Sequence, residues 1–328
     1  MITCWFGEWK SWINLHLESC ARNPSVEWLF LHDQNDLPDH RPVNVRFLRT
    51  SLTDIEQRFE ARYSRKVRVQ NPYKMCDLKP LLGELFSDVV GLRNWWGMCD
   101  TDLIWGDIRR FISDEDLAIY DVITSHVCTI VGQFTLFKTP QLAASLFWDV
   151  TDVGALLDDP NYQGIDELLI DKAASERESA KTLRVSRRML QAWERLYQPG
   201  WEQWASDRES ARLGAPVKVT FLTGPCEWRE GRVFHTAGQS ELMFFHFLEW
   251  KRRWRLPVYP WPLPRLSRIA ITENGFGLTF EHKNKLRNLR LKLFHVIPFR
   301  IFFPMRHQIA RGKRGLKKIK RFFTNRIR

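Results

Sequence analysis

The sequence predicts an α/β protein with a mixed, mainly parallel sheet flanked by helices. Short apolar runs over residues 2–7, 26–33 and 43–48 have the composition of strands, and the segments over 12–20 and 53–63 have helical spacing. Strands that alternate with helices are typical of a doubly wound sheet. At 328 residues the chain is long enough for one large domain, or for one domain and an appendage.

The later elements are predicted from the same patterns. Apolar runs over 120–124, 132–138 and 217–222 indicate further strands, and Gly132 ahead of an aromatic strand indicates a bulge or a close backbone approach to a ligand. The stretch over 173–212 is polar and rich in Arg, Glu and Ala, which predicts a helical insertion at the surface.

The net charge of +12 is concentrated at one end of the chain. Residues 283–328 hold 16 Lys or Arg and no acid, so residues 1–282 hold 34 basic and 38 acidic side chains. Because the bulk of the chain is slightly acidic, binding of nucleic acid is not favoured.

The cysteine and hydropathy patterns indicate a cytoplasmic protein. The six cysteines are scattered without a C-x-x-C pair, which argues against a zinc site or a disulfide framework and fits a reducing compartment. The first residues lack the pattern of a secretory signal, and no apolar stretch has the length of a membrane span.

The C-terminal part predicts a surface-binding tail. Residues 254–282 are rich in Pro and Trp and are predicted to connect the domain over 1–253 to the basic tail over 283–328. In that tail Leu, Ile and Phe recur at helical spacing among Lys and Arg, which is typical of a helix on an anionic membrane. A solvated tail and an RNA-binding tail are the alternatives, but neither needs the apolar cluster over 299–303.

An acid pair, Asp100 and Asp102, lies inside an aromatic and apolar stretch over 94–108. In an extended segment, residues i and i+2 point to the same side, and the strand before them places the pair at its carboxyl end. Two buried carboxylates need a positive partner, and a divalent cation bound to a diphosphate would supply it. The alternative is a turn with solvated aspartates.

Three further groups of residues could bind or react. Lys74, Asp77 and Lys79 precede a helix and could contact the phosphates and sugar hydroxyls of a nucleotide, or form an ordinary surface turn. His246, five residues before Lys251, could be a third metal ligand beside a phosphate-binding cation, or a hydrogen-bonded core residue. The acids Asp166 and Glu167 precede a helical segment.

In combination these blocks resemble a bacterial family of polysaccharide-biosynthesis glycosyltransferases with the GT-A fold, a Rossmann-like arrangement. The similarity covers roughly residues 1–253. Its motifs are Cys-Trp-Phe-Gly at 4–7, Glu-Ser-Cys at 18–20 with Asn-Pro at 23–24, Leu-His-Asp at 31–33, Tyr-Lys-Met-Cys-Asp-Leu-Lys-Pro at 73–80, Trp-Gly-Met-Cys-Asp-Thr-Asp-Leu-Ile-Trp-Gly-Asp at 96–107, Gly-Gln-Phe-Thr-Leu at 132–136 and His-Phe-Leu-Glu-Trp-Lys at 246–251.

The resemblance implies a nucleoside-diphosphate sugar as donor, with a UDP-sugar the first expectation. It also implies Mn²⁺ or Mg²⁺ on Asp100, Asp102 and His246, and a phosphate contact from Lys251. By the same similarity the nucleoside pocket would be lined by Phe6, Asp33, Lys74 and Asp77.

The predicted reaction transfers a sugar to a glycan or lipid-linked acceptor at the inner face of the cell membrane. An inverting enzyme needs a carboxylate base, for which Asp166 or Glu167 is the candidate; a retaining enzyme needs none. A helix-capping pair of acids would look the same as this base. Alternatives are a metal-dependent nucleotidyl- or phosphotransferase, and a non-enzymatic protein that binds RNA or lipopolysaccharide through its tail.

Overall fold

The computed structural model describes residues 1–91, 94–193, 200–236, 240–248, 250–253, 268–272 and 275–279. The predicted basic tail over 283–328 lies outside the described residues. The described strands, in chain order, are β1 (Ile2–Trp5), β2 (Trp28–His32), β3 (Val45–Arg49), β4 (Trp96–Cys99), β5 (Leu103–Trp105), β6 (Val122–Thr124), β7 (Phe134–Phe137), β8 (Val185–Arg187), β9 (Gln191–Trp193), β10 (Cys226–Arg229), β11 (Arg232–His235), β12 (Glu241–Leu242), β13 (Phe244–His246), β14 (Arg268–Thr272) and β15 (Gly275–Thr279).

The largest sheet has the order β3-β2-β1-β4-β7-β6-β8 within the described residues. The pairs β3–β2, β2–β1, β1–β4 and β6–β8 are parallel. Strand β7 lies between β4 and β6 and is antiparallel to both. The predicted mixed, mainly parallel sheet is therefore confirmed. Its parallel half brings the carboxyl ends of β1, β2 and β4 to one edge.

The helices of the described residues are α1 (Ile13–Ala21), α2 (Leu52–Tyr63), α3 (Met75–Leu78), α4 (Leu82–Leu85), α5 (Ser87–Val90), α6 (Asp114–Ile119), α7 (Pro140–Trp148), α8 (Val153–Asp158), α9 (Ile170–Ser179), α10 (Trp201–Leu213) and α11 (Trp250–Arg253). Local sequence explains where several begin. Ser51 and Asp54 form a capping box at the start of α2, and Thr139 caps α7 directly before Pro140.

Aromatic and aliphatic side chains fill both faces of the large sheet. On one face, Phe59 of α2, Phe137 of β7 and Phe147 of α7 belong to a single buried cluster. On the other face, Phe30 of β2 packs in a cluster with Trp105. Burying each such ring contributes about 1.5–3 kcal/mol, so the sheet is a rigid support for the residues at its edge.

The prediction that residues 173–212 form a helical insertion is wrong for the middle of this stretch, which contains the strands β8 and β9. Helices α9 and α10 lie in or overlap this stretch, but β8 pairs with β6 in the large sheet and β9 pairs with β13 in a three-stranded sheet. Parallel strand pairing with distant residues outweighs the local helical composition here, because β8 buries Val185 against the core.

The predicted strand over 217–222 is also wrong. No sheet of the described residues includes this segment; Val219 and Phe221 are buried beside α10. The backbone amides of residues 217, 219 and 221 are bound by the side chains of Ser210, Ser206 and Glu202 of that helix. Helix side chains thus take the place of a neighbouring strand.

The predicted end of the folded domain at residue 253 differs from the structure. Strands β14 and β15 lie inside the segment predicted to be a connection, 254–282, and β14 pairs with β10. They complete a second sheet with the order β12-β11-β10-β14-β15 in the described residues. None of the described helices is long and apolar enough to cross a membrane.

Candidate active site

The carboxyl edge of the parallel strands carries the predicted ligand-binding residues. Strands β1, β2 and β4 are followed directly by Phe6, Asp33 and Asp100. Phe6 is half-buried against the core, and Asp33 is exposed. The Asp33 carboxylate accepts a hydrogen bond of 2.9 Å from the Gly7 amide, which ties the ends of β1 and β2 together.

The acid pair lies beside His246, as predicted. Strand β5 begins at Leu103, which pairs with His246 of β13, so the register places the imidazole next to Asp102. One ligand atom each from Asp100, Asp102 and His246 lies within 4.8 Å of the other two. Asp102 and His246 are buried, whereas Asp100 is half-buried.

This group fits a divalent cation. The Nε2 atom of His246 is buried and has no hydrogen-bond partner among the described residues; it lies 3.5 Å from Oδ2 of Asp102. A buried imidazole nitrogen without a partner is costly, and a metal ion between the three residues would satisfy it. Two carboxylates with one imidazole suit Mn²⁺ and also allow Mg²⁺.

Each acid of the pair has its own lysine. Lys251 donates to Oδ2 of Asp102, and Lys79 donates to Oδ1 of Asp100 at 2.5 Å. Burial alone would raise the pKa of Asp102, but the charges of Lys251 and His246 hold it well below its usual range. Asp102 is therefore ionised and able to bind a cation at neutral pH.

Lys79 also joins the acid pair to Asp166. Its Nζ atom lies 3.3 Å from Oδ2 of Asp166 and 3.3 Å from the carbonyl oxygen of Gly132. A Cβ atom added at Gly132 would collide with the Asp166 carboxylate and crowd Nζ of Lys79. The groups that approach Gly132 closely are thus side chains of the candidate site, and the predicted approach to a ligand stays a prediction.

Asp166 and Glu167 lie in a wide π-type turn, Ile165–Leu169, just before α9. Burial raises the pKa of Asp166 to about 6, against the opposing effect of Lys79. Burial and the charge of Asp166 raise the pKa of Glu167 to about 8. Both carboxyl groups therefore titrate near neutral pH, as general acids and bases do.

Lys74 and Asp77 lie beneath this turn rather than in an open pocket. Both side chains are fully buried and pair at 3.0 Å. Nζ of Lys74 also donates to the carbonyl oxygens of Leu156 and Asn161, and the Asp77 carboxylate accepts from the three amides of 163–165. In this conformation the pair anchors the segment that carries Asp166, and neither side chain reaches solvent.

Two residues that contribute to the site were missed in the sequence. Tyr162 donates its hydroxyl to Oδ1 of Asp166 at 2.9 Å. His16 of α1 makes a 2.6 Å contact from Nδ1 to the carbonyl oxygen of Leu103, next to Asp102. Neither has a sequence signal, because each contact joins residues whose proximity depends on turn or tertiary geometry.

The fold and the site define an α/β protein with a candidate metal centre at the carboxyl edge of its parallel strands. The chain belongs to a family of unknown function, DUF6625, whose family model matches residues 1–277. That match includes β14 and most of β15, in agreement with the second sheet. No curated protein matches the chain at a significant level.

Several solved glycosyltransferases show a distant likeness. The galactosyltransferase LgtC, solved with donor and acceptor sugar analogues, is 12% identical over 75% of this chain and 86% of its own, with a TM-score of 0.38. Mouse xyloside xylosyltransferase 1 is 8% identical over 75% and 96%, with a TM-score of 0.34. GlyE of Streptococcus pneumoniae TIGR4 is 12% identical over 56% and 43%, with a TM-score of 0.31. At these scores the likenesses carry no argument about function.

Proposed function

We propose that this protein is a metal-dependent glycosyltransferase. It would move a sugar from a nucleoside-diphosphate sugar to a hydroxyl of a saccharide or a lipid-linked acceptor. The observation that carries the proposal is the convergence of Asp100, Asp102 and His246, in which the buried Nε2 atom of His246 makes no hydrogen bond within the described residues and lies 3.5 Å from Asp102. Such a group at the carboxyl edge of parallel strands suits a cation bound to a diphosphate.

The charge balance of the site supports the same conclusion. Four carboxyl groups, those of Asp100, Asp102, Asp166 and Glu167, face two ammonium groups, those of Lys79 and Lys251. A divalent cation would offset the negative charge of Asp100 and Asp102, and Lys251, beside Asp102, would lie near a diphosphate bound to that cation. Burial is the main cause of the raised pKa values of Asp166 and Glu167; the charge of Asp166 adds to the rise at Glu167, and Lys79 opposes the rise at both.

The nucleoside of the donor is proposed to lie at the ends of β1 and β2, against Phe6 and Asp33. Phe6 offers part of its ring, and Asp33 is exposed at the same edge as Asp100. Lys74 and Asp77 would support the site from below, because both are buried and bonded to protein atoms. A UDP-sugar is the proposed donor.

The residues of the chain divide the chemistry between them. A dication bound to the acid pair and His246 would neutralise charge that builds on the leaving diphosphate, an effect that grows towards the transition state. Lys251, already beside Asp102, would add to this stabilisation. Asp166 or Glu167 would accept the proton of the acceptor hydroxyl, since their pKa values of about 6 and about 8 lie near neutral pH.

Thermal-shift measurements with UDP-, GDP-, CMP- and dTDP-sugars, each with and without Mn²⁺, test the proposal. We expect one nucleotide class to stabilise the protein only when Mn²⁺ is present, by about 2.7 kcal/mol at a hundredfold excess over Kd. Asp102→Asn should lose this shift, whereas Asp114→Asn, at a carboxylate whose side chain is 93% exposed, should keep it.

The same assay separates the second candidate reaction. A nucleotidyl- or phosphotransferase would use the same acids but would be stabilised by nucleoside triphosphates and would release no sugar. A shift with triphosphates alone, or an equal sugar-nucleotide shift in Asp102→Asn, would refute the glycosyltransferase proposal.

The basic tail is proposed to hold the enzyme on an anionic membrane, where a lipid-linked acceptor would be found. Each Lys or Arg near such a surface contributes about 1 kcal/mol, and residues 283–328 hold 16 of them. We expect the full chain to sediment with anionic but not with neutral vesicles, and a chain ending at residue 282 to stay in solution. Loss of donor hydrolysis in that shortened but folded chain would contradict this division of roles.

A further inference from the structure

An exposed aromatic pair lies beside the candidate catalytic acids. Tyr73 is 59% exposed, a large exposed fraction for an aromatic side chain. Its ring packs edge-on against Tyr162, with centroids 4.9 Å apart and an interplanar angle of 67°. An exposed tyrosine that a second ring supports is a surface suited to a ligand with an apolar face.

A continuous chain of contacts leads from the proposed metal ligands to this pair. Lys79 bridges Asp100 and Asp166, and Asp166 accepts the hydroxyl hydrogen bond of Tyr162, which in turn packs against Tyr73. Partial burial raises the pKa of the Tyr73 hydroxyl, and the carboxylates of this cluster raise it further. The exposed ring is therefore within electrostatic reach of the carboxylates that would take part in transfer.

The backbone holds both tyrosines in place before any ligand binds. Asn71 caps the short turn that carries Tyr73, by accepting hydrogen bonds from the amides of residues 73 and 74. The next segment contributes Asp77, which binds the amides of 163–165 directly after Tyr162. One buried carboxylate thus fixes the two ring-bearing segments relative to each other, and a preorganised surface loses less entropy on binding.

The chemistry of this surface matches a sugar ring. A pyranose presents one face of C–H groups, which packs on an aromatic ring, and hydroxyl groups at its rim, which need charged or polar partners. Tyr73 offers the ring and Asp166 offers the carboxylate. Because Asp166 is buried and Tyr73 is exposed, a ligand arriving from solvent meets Tyr73 first.

We propose that Tyr73, supported by Tyr162, is the platform on which the acceptor saccharide stacks, with its reacting hydroxyl directed towards Asp166. This inference rests on the proposed function, because the bound saccharide is an acceptor only if the protein transfers a sugar.

Ligand-observed NMR on the full chain, with saturation transferred from protein to ligand, tests the platform directly. The probes are methyl β-D-glucopyranoside, methyl β-D-galactopyranoside and methyl α-D-mannopyranoside; sorbitol is the control, because it carries hydroxyl groups but has no ring. At least one glycoside should receive saturation, and sorbitol should not. Tyr73→Ala should weaken that binding about tenfold, in line with the loss of one aromatic stacking contact, and Tyr73→Phe should retain it.

Ile119→Ala is the matched control, because Ile119 is a 41% exposed apolar residue of α6 that plays no part in the proposed site. It should bind glycosides like the unmodified chain. In turnover assays Tyr73→Ala should lower the ratio of transfer to donor hydrolysis about tenfold. Far-UV circular dichroism checks that each variant is folded.

The outcomes separate the two proposals. One contrary result is that glycosides bind equally to the unmodified chain and to Tyr73→Ala; another is that they bind to neither. Either result would overturn the proposed role of Tyr73. If nucleotide sugars still raise the melting temperature, the glycosyltransferase proposal stands. Absence of any nucleotide-sugar shift in the unmodified chain overturns the proposed function, and with it the assignment of the bound glycoside as an acceptor.

Discussion

Two buried carboxylates of this protein, Asp77 and Asp102, have similar burial but opposite surroundings. Asp77 is fully buried and accepts hydrogen bonds from three backbone amides as well as from Lys74. Asp102 is 4% exposed, and its close partner is Lys251, with Nε2 of His246 at 3.5 Å. The first carboxylate has as many donors as its oxygens can accept, whereas the second lies beside another acid and a buried nitrogen without a partner among the described residues.

The difference distinguishes a structural ion pair from a binding site. A buried charge is tolerated when protein groups satisfy it, as the amides of 163–165 satisfy Asp77. A group of buried polar atoms that protein alone leaves unsatisfied indicates a ligand. Burial and a partner lysine are common to both, so what separates them is that backbone amides satisfy Asp77, whereas Asp102 lies beside a second acid and the imidazole of His246.

The largest expected effect is on stability, at Asp77. Replacing it with alanine would leave Lys74 as a buried charge without its acid and would free three backbone amides, so the free energy of unfolding should fall by about 3–5 kcal/mol. Urea denaturation followed by circular dichroism measures the loss. A change below about 1 kcal/mol would show that the pair is not the anchor inferred from its contacts.

Asp102→Asn should give the opposite result, with a large loss of activity and a small change in stability. Removing a ligand of the proposed cation should lower donor turnover about a thousandfold, equivalent to about 4 kcal/mol of transition-state stabilisation. Its stability should change less than that of Asp77→Ala, because Lys251 is partly exposed and can reach water. Turnover with Mn²⁺ measures the loss of activity, and urea denaturation without metal measures the change in stability. A loss of stability as large as that of Asp77→Ala would show that the two acids do not differ in role.

The raised pKa of Glu167 makes a prediction about pH. Its pKa is about 8 in the folded protein against an ordinary value of 4.5, so the folded state binds the proton more tightly than the unfolded state. The stabilisation this proton provides is complete below pH 4.5 and is lost as the pH rises through 8. Between these limits the free energy of unfolding of the metal-free protein should fall as the pH rises. In Glu167→Gln this fall should be smaller by on the order of 1–2 kcal/mol.

Denaturation in the presence of a chelator, at both ends of that range, measures this pH dependence. Equal losses in the variant and the unmodified chain would mean that other groups cause it. Asp166 also has a raised pKa, of about 6, so a residual loss is expected at the lower end of the range.

The smallest effect is expected at a surface ion pair, which sets the baseline for the other variants. Asp88 pairs with Arg58 at 2.8 Å, and their side chains are 59% and 36% exposed. Asp88→Ala should lower the free energy of unfolding by less than about 1 kcal/mol, because water and salt weaken an exposed pair. A loss as large as that of Asp77→Ala would mean that burial does not explain the difference between these acids.

Much of the site could be predicted from the sequence, because its main ligands follow strands. The apolar run before Asp100 and the i, i+2 spacing to Asp102 place both acids at the carboxyl edge of the sheet, and the structure brings His246 and Lys251 to them. Periodicity and turn residues are local properties, so they identify such positions without knowledge of distant contacts.

The roles within the motif over 73–80 were decided only by the tertiary structure. Lys74 and Lys79 look alike in the sequence, yet Lys74 is fully buried with Asp77, and Lys79 bridges Asp100 and Asp166. Which of the two faces the site depends on partners more than 20 residues away. The same is true of β8 and β9, whose helical composition is outweighed by pairing with distant strands.

The sequence by itself therefore determined the class of fold and the edge of the sheet at which the acid pair lies. The tertiary structure decided which charged groups are satisfied internally, which remain for a ligand, and where an exposed ring such as Tyr73 lies relative to the acids. The physical reason is that strand and helix preferences are set by neighbouring residues. The free energy of a buried polar atom is set instead by partners that folding brings from elsewhere in the chain.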